Sequence, residues 1–150
     1  MRTADFQKNT TAGVTGREVP MQENRFPEEC RYIAEHVWVR RDGDEVTAGI
    51  SWYAQEQLGE ILFVDLVSVG EEIRAGEAFG TVESLKSVST LFMPLDGVIT
   101  AINNFDVLPP TTLNRDPYGA GWMIRFRPAS PDTFMTCLTA QEYAAMLPDA

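Results

Sequence analysis

From Val37 to Phe126 the chain is mostly a succession of short apolar or alternating runs, each stopped by a turn signal. No run lasts long enough for a helix of ordinary length, and that pattern excludes most helical architectures. Val37-Trp38-Val39 and Val46 to Ile50 flank Arg41-Asp42-Gly43-Asp44, which is the pattern of a β-hairpin. Ile61-Leu62-Phe63-Val64 is wholly apolar and predicts a strand buried on both faces. Further strands are expected at Phe79 to Ser84, Val88 to Phe92, Gly97 to Ile102 and Trp122 to Phe126. Gly70 and Gly76 mark tight turns between them. Many short strands at this spacing predict a mainly β fold, a small barrel or sandwich.

Helices are expected only in short pieces. Ser51 is placed to N-cap a helix running to Leu58, with Ala54 and Leu58 one turn apart and Gly59 as its stop. Near the C-terminus the period changes. Ser130-Pro131-Asp132 starts a helix with proline in its first turn, putting Phe134, Cys137 and Leu138 on one face. Thr139-Ala140-Gln141-Glu142 has capping-box spacing for a second helix, carrying Tyr143, Met146 and Leu147 until Pro148 ends it. Residues 1–29 are polar, aperiodic and broken by Gly13, Gly16, Pro20 and Pro27, so they read as an extension ahead of one domain at 30–150.

Within this frame Lys86 stands out. It lies between the runs Gly80 to Ser84 and Val88 to Phe92, at the tip of a predicted hairpin. A lysine at an apex is presented to another enzyme, which points to covalent attachment of a cofactor.

Charge narrows the classes further. The chain has 22 acidic against 12 basic residues, a net charge of −10. Nucleic-acid binding needs a basic stripe, and anionic membranes attract basic segments, so neither partner is expected. Acidity suits a protein that meets basic patches on partner enzymes, and equally one that is charged for solubility alone. No apolar run approaches a membrane span, and Asp5, Glu18 and Glu23 argue against a transit peptide, so a cytoplasmic monomer is the default expectation. Cys30 and Cys137 are too few and too far apart for a disulfide framework; Cys137 is expected on the buried face of a helix. His36 is the only histidine, so no histidine-based metal site is available, and packing beside Trp38 is its simplest role. Asp116-Pro117-Tyr118-Gly119 reads first as a tight turn, and Trp122 and Phe126 as core.

Taken together, Gly49-Ile50-Ser51, Ala54-Gln55, Leu58-Gly59, Phe63-Val64-Asp65-Leu66, Val69-Gly70, Gly76 and Glu83-Ser84-Leu85-Lys86 resemble the H-protein family of the glycine cleavage system. Pro94, Gly97, Asn103, Asn114 and Asp116-Pro117-Tyr118-Gly119-Ala120-Gly121-Trp122 extend the resemblance to the C-terminal region. It implies a barrel-sandwich hybrid, the lipoyl or hammerhead fold, with short helices near the middle and at the C-terminus. It also implies that Lys86 carries lipoate through an amide. A lysine amine is largely protonated near neutral pH, so the lipoate-protein ligase must deprotonate it while gripping the tip. Glu83 and Ser84 then fix the tip or the ligase contact, unless they are simply a polar strand edge. The protein would be a carrier without catalytic residues of its own, and dihydrolipoyl dehydrogenase would be among its partners.

Two departures bear on the cargo. The family pattern His-Glu-Trp is His36-Val37-Trp38 here, and the aspartate usual four residues after the lysine is Thr90. A cationic cargo without those carboxylates forgoes a charge-assisted bond, on the order of 1.5–3 kcal/mol. The segment Asn103 to Asn114 also differs, with Asp106 in place of a leucine and a Pro109-Pro110 pair. These changes point to the H-like branch that serves heterodisulfide-reductase-like sulfur oxidation, where the arm carries sulfur and the partner is that complex. The alternative is a glycine cleavage H protein working with a pyridoxal-phosphate decarboxylase and a folate-dependent aminomethyltransferase. Biotin carriage is disfavoured because Leu85 and Ser87 replace the methionines that flank a biotinyl lysine. An unmodified interaction module is the rival of a different class.

Overall fold

The computed structural model describes residues 25–148. All strand pairs are antiparallel. Strands β1 (Arg31–Tyr32), β2 (Val37–Asp42), β3 (Glu45–Ile50), β5 (Glu72–Ile73), β8 (Gly97–Ile102) and β9 (Ile124–Pro128) form a large sheet in the order β1-β2-β3-β9-β8-β5. Strands β4 (Ile61–Leu66), β6 (Ala78–Ser84) and β7 (Val88–Phe92) form a small one in the order β4-β6-β7. The helices are short: α1 (Trp52–Leu58), α2 (Thr112–Arg115), a 3-10 turn at Pro131–Thr136 and α3 (Ala140–Met146). The mainly β barrel-sandwich expectation is met.

The main core lies where the inner faces of the two sheets meet. Val37, Val39, Ala48, Ile50, Ile124 and Phe126 come from the large sheet; Ile61, Val82 and Leu91 come from the small one. A second cluster sits beneath α3, where Tyr32, Trp38, Tyr143 and Leu147 pack with Phe26 and Cys30. Strand β2 therefore has both faces covered near its start: Val37 and Val39 enter the main core, while Trp38 enters the second cluster. Its unbroken apolar opening follows from that. Phe26 falls within the polar N-terminal stretch yet is 8% exposed, so the packed unit includes it. Residues 1–24 of the expected extension lie outside the described residues.

Local signals place the helix ends. The Ser51 side chain accepts from the Ala54 amide, and the Thr139–Glu142 capping box forms in both directions. A cap of this kind contributes about 1 kcal/mol. The hairpin turn at Asp42–Glu45 and the strands Val88–Phe92 and Gly97–Ile102 fall where the patterning puts them.

Three expectations need correction. Strand β4 is not buried on both faces: it is an edge strand, and Phe63 is 63% exposed. Trp122 is half-buried and precedes β9, which begins at Ile124. Cys137 is buried but lies beyond the 3-10 turn in extended backbone, because Leu138 pairs with Tyr32 and pulls the chain into a bridge there. Phe134 and Cys137 therefore enter the main core, whereas Leu138 packs on the second cluster. Tyr143 in α3 and Leu147 just beyond its end face inward, while Met146 is 43% exposed.

One glycine fixes how closely β4 and β6 approach. A Cβ on Gly80 would sit 2.5 Å from the Asp65 carbonyl oxygen and 2.9 Å from Leu66 Cδ2. Backbone cannot yield as a flexible side chain does, so Gly80→Ala should destabilise the fold by about 1–3 kcal/mol. Urea unfolding of the variant measures this; an unchanged midpoint would mean that the two strands can separate at little cost.

Candidate functional site

The β6–β7 hairpin closes on Ser84. The last strand pair is Glu83 with Val88, which leaves Ser84, Leu85, Lys86 and Ser87 at the tip. The Ser84 amide donates to the Ser87 carbonyl at 2.9 Å. Its hydroxyl oxygen accepts from the amides of Lys86 at 3.2 Å and Ser87 at 3.3 Å. A serine oxygen thus satisfies two turn amides, as Ser and Asn side chains commonly do in turns. Ser84 is buried, while Leu85 and Lys86 are exposed. The side chain inside the tip holds the backbone from which the lysine projects.

The lysine stem meets a second element. Gly59, at the C-terminal end of α1, has φ +77, and a Cβ there would lie 3.3 Å from Lys86 Cε and 3.9 Å from Nζ. Glycine supplies both the backbone conformation and the room. Asn114, in α2, holds this spot in place. Its side-chain nitrogen donates to the Gly59 carbonyl at 2.8 Å and to Gln55 Oε1 at 3.0 Å, and its oxygen accepts from the Ile61 amide at 3.0 Å. One amide side chain so ties α1, the following turn and the start of β4. Gly59 and Asn114 have no functional signal in isolation, since their contact spans 55 residues of chain.

Lys86 is one of two lysines in the sequence, the other being Lys8. Among the described residues it is the only one, and all other basic side chains apart from His36 are arginines. An exposed, solitary primary amine on a braced tip fits amide attachment of a carboxylic acid such as lipoate. Glu83 is exposed on the outer face of the small sheet and Ser84 faces inward, so the two motif residues do different things. No cluster of three or more histidine, cysteine or carboxylate side chains among the described residues could hold a metal.

The two positions that lack the family's carboxylates differ in exposure. Val37 is fully buried in the main core, whereas Thr90 is exposed on the outer face of β7. A side chain at 37 packs against Val39, Ile50 and their neighbours, so valine there answers to core packing. The segment Asn103 to Asn114 is likewise a folded connection. Asn104 Oδ1 accepts from the Asp106 amide, and the carbonyls of Pro109 and Pro110 accept from the first amides of α2. These surroundings lend no support to a sulfur cargo.

His36 bonds elsewhere than expected. It adopts φ 72, its Nδ1 lies 2.7 Å from the Tyr143 hydroxyl, and its ring lies 4.9 Å from that of Tyr53. Tyr143 in turn lies 2.8 Å from Ser51 Oγ, so the chain of bonds joins α3 to the N-cap of α1. Burial holds the imidazole below its ordinary value, against the opposing influence of Glu35. Burial also pushes the Cys30 thiol up to about 12 and raises that of Cys137, which disfavours the reactive thiolate at both.

Two outcomes follow. In Ser84→Ala the Lys86 and Ser87 amides should exchange with solvent about fivefold faster or more, since each net hydrogen bond contributes about 1 kcal/mol. Amide exchange by NMR reads this, and unchanged protection would remove Ser84 from the role of brace. For His36 the unfolded chain binds the proton more readily than the fold does. Its contribution to stability is therefore present above the unfolded value, about 6.5, and is lost as pH falls toward the lower folded value. Urea midpoints of the wild type should fall more than those of His36→Gln as pH is lowered from about 7 to 5; parallel curves would contradict it.

The sequence profile of the family described as Glycine cleavage H-protein matches residues 30–150. The glycine cleavage system H protein of Bacteroides thetaiotaomicron is 46% identical over 122 residues, covering 81% of this chain and 97% of that protein. That of Geobacillus thermodenitrificans is 46% identical over 121 residues, covering 81% and 95%. The crystal structure of a glycine cleavage system H protein from Mycobacterium marinum superimposes with a TM-score of 0.72 at 42% identity, covering 79% of this chain and 96% of that one. These relatives lend no support to the sulfur-oxidation branch, which the cargo considerations had favoured. Members of the matched family carry lipoate covalently on a lysine. This chain belongs to the glycine cleavage H-protein family.

Proposed function

We propose that this protein is a lipoate carrier of the glycine cleavage type, with Lys86 as the attachment residue. It shuttles the aminomethyl group derived from glycine between partner enzymes and performs no catalysis itself. The observation that carries the proposal is the braced tip: a single exposed lysine among the described residues, on a turn whose amides are held by Ser84, in a chain of this family. Bound lipoate supplies a strained cyclic disulfide that a partner can open and reclose. The protein's own residues supply the platform. Ser84 fixes the tip backbone, Gly59 leaves room for the lysine stem, and Asn114 secures the end of α1 beneath it. A rigid base with a flexible reach raises the local concentration of the arm at each partner's site.

The domain at 30–150 is the carrier unit, and the N-terminal extension that precedes it contributes Phe26 to the second core cluster. Its partners are a lipoate-protein ligase, a pyridoxal-phosphate glycine decarboxylase, a folate-dependent aminomethyltransferase and a flavin dihydrolipoyl dehydrogenase. No helix among the described residues is long and apolar enough to cross a membrane.

Intact mass after co-expression with a lipoate-protein ligase should show one lipoyl adduct on the wild type and none on Lys86→Arg. An unmodified wild type, or an adduct that persists in Lys86→Arg, would sink the assignment. The lipoylated wild type should then support carbon exchange between glycine and bicarbonate with the decarboxylase, and a loaded but inactive carrier would reject the glycine cargo.

A further inference from the structure

The small sheet turns an apolar row outward beside the lysine. Strand β4 carries a bulge between Ile61 and Phe63, with Leu62 as the extra residue: Ile61 pairs with Ser84, and Phe63 pairs with Glu83. Two residues apart on a regular strand, Ile61 and Phe63 would share a face. Here Ile61 is 1% exposed and Phe63 is 63% exposed. The bulge reverses the alternation and sends an aromatic ring to the outside, a device that re-aims side chains and is common beside functional sites. Glu83 pairs with Val88, itself 65% exposed, so Phe63, Glu83 and Val88 form one cross-strand row on the outer face. Leu85, 81% exposed, continues it at the tip next to Lys86. Asp65, Thr81 and Thr90 form the next row on the same face.

We propose that this face is the docking surface for the enzyme that acylates Lys86, a partner presenting an apolar groove rimmed by basic side chains. The inference rests on the lipoyl-carrier reading. Acylation requires the Lys86 amine to enter the partner's active site, so whatever modifies it must cover the surface from which the lysine projects. Phe63, Val88 and Leu85 are large apolar groups with no cover on this face among the described residues, and they flank that lysine. Glu83 and Asp65 give the patch its negative charge. Neither is ion-paired among the described residues, where the pairs are Arg40 with Asp42 and Arg127 with Glu45. Apolar anchors would supply the affinity, and the two carboxylates would steer the approach and set the register.

The test uses the full chain carrying Lys86→Arg, which cannot be acylated, and measures its binding to a lipoate-protein ligase by calorimetry. Phe63→Ser with Val88→Ser should weaken binding roughly tenfold or more. Glu83→Gln with Asp65→Asn should flatten the loss of affinity with added salt. Val98→Ser, an exposed apolar change on the large sheet, should leave binding unaltered. Matching melting curves would confirm that the outward substitutions preserve the fold. Binding of the Phe63/Val88 double variant within twofold of its parent overturns the docking surface, as does an equal loss in Val98→Ser. A wild type that the ligase never modifies at Lys86 is a separate result, which refutes the carrier reading itself.

Discussion

Strand β6 organises both what the protein buries and what it presents. It is the middle strand of the small sheet, so its pleat is copied to β4 on one side and β7 on the other. Val82 faces the main core with Val64 and Ser89 opposite, and Glu83 faces out with Phe63 and Val88 opposite. At the end of the strand the same alternation turns Ser84 inward, where its oxygen can reach the amides of the turn. A slip of one residue would exchange these faces. The core would lose Val82, and the tip would lose its brace. The close fit of Gly80 against the Asp65 carbonyl opposes such a slip.

The base of the hairpin tip draws on parts of the chain that are far apart. The hairpin brings the lysine, α1 brings Gly59, and α2 brings Asn114, which bonds across to both ends of the turn after α1. That turn sits on top of the main core, since Ile61, which follows it, and Leu113, the neighbour of Asn114, are both buried there. Position at the tip is thereby referred to the interior. The bonds among His36, Tyr143 and Ser51 do the same at the opposite end of α1, joining its N-cap to the C-terminal helix. A seven-residue helix has little stability of its own, and these ties at both ends account for its definite placement.

Much of this was legible in the sequence where the signal is local. Ser51, the Thr139–Glu142 box and the Asp42-Gly43 turn each state their role within a few residues, and the lysine's place between two strand runs identifies the hairpin. What escaped has a common cause. A bulge adds one residue without altering the apolar character of Ile61 to Val64, so composition cannot show that Phe63 turns outward. The Asn114 bonds join segments whose proximity only the fold creates. Leu138 leaves the expected helix for a bridge to Tyr32, a partner over a hundred residues away. Valine at 37 showed up as a carboxylate missing from a family pattern, but its surroundings in the core make it a packing residue. The sulfur cargo inferred from that absence finds no support among the relatives.

The scarcity of lysine also bears on chemical fidelity. A guanidinium stays protonated and is a poor nucleophile at any pH the fold meets, whereas a primary amine reacts with activated acyl groups once it loses its proton. By building its surface cations from Arg31, Arg40, Arg41, Arg74, Arg115, Arg125 and Arg127, the domain keeps positive charge for ion pairs and for stacking on Trp38, Trp122 and Phe134. None of those groups competes as an acyl acceptor. With Lys86 as the proposed attachment residue, a misdirected acyl transfer within residues 25–148 would have no second side-chain amine to land on, and selectivity would be partly written into the composition of the acceptor rather than left wholly to the enzyme.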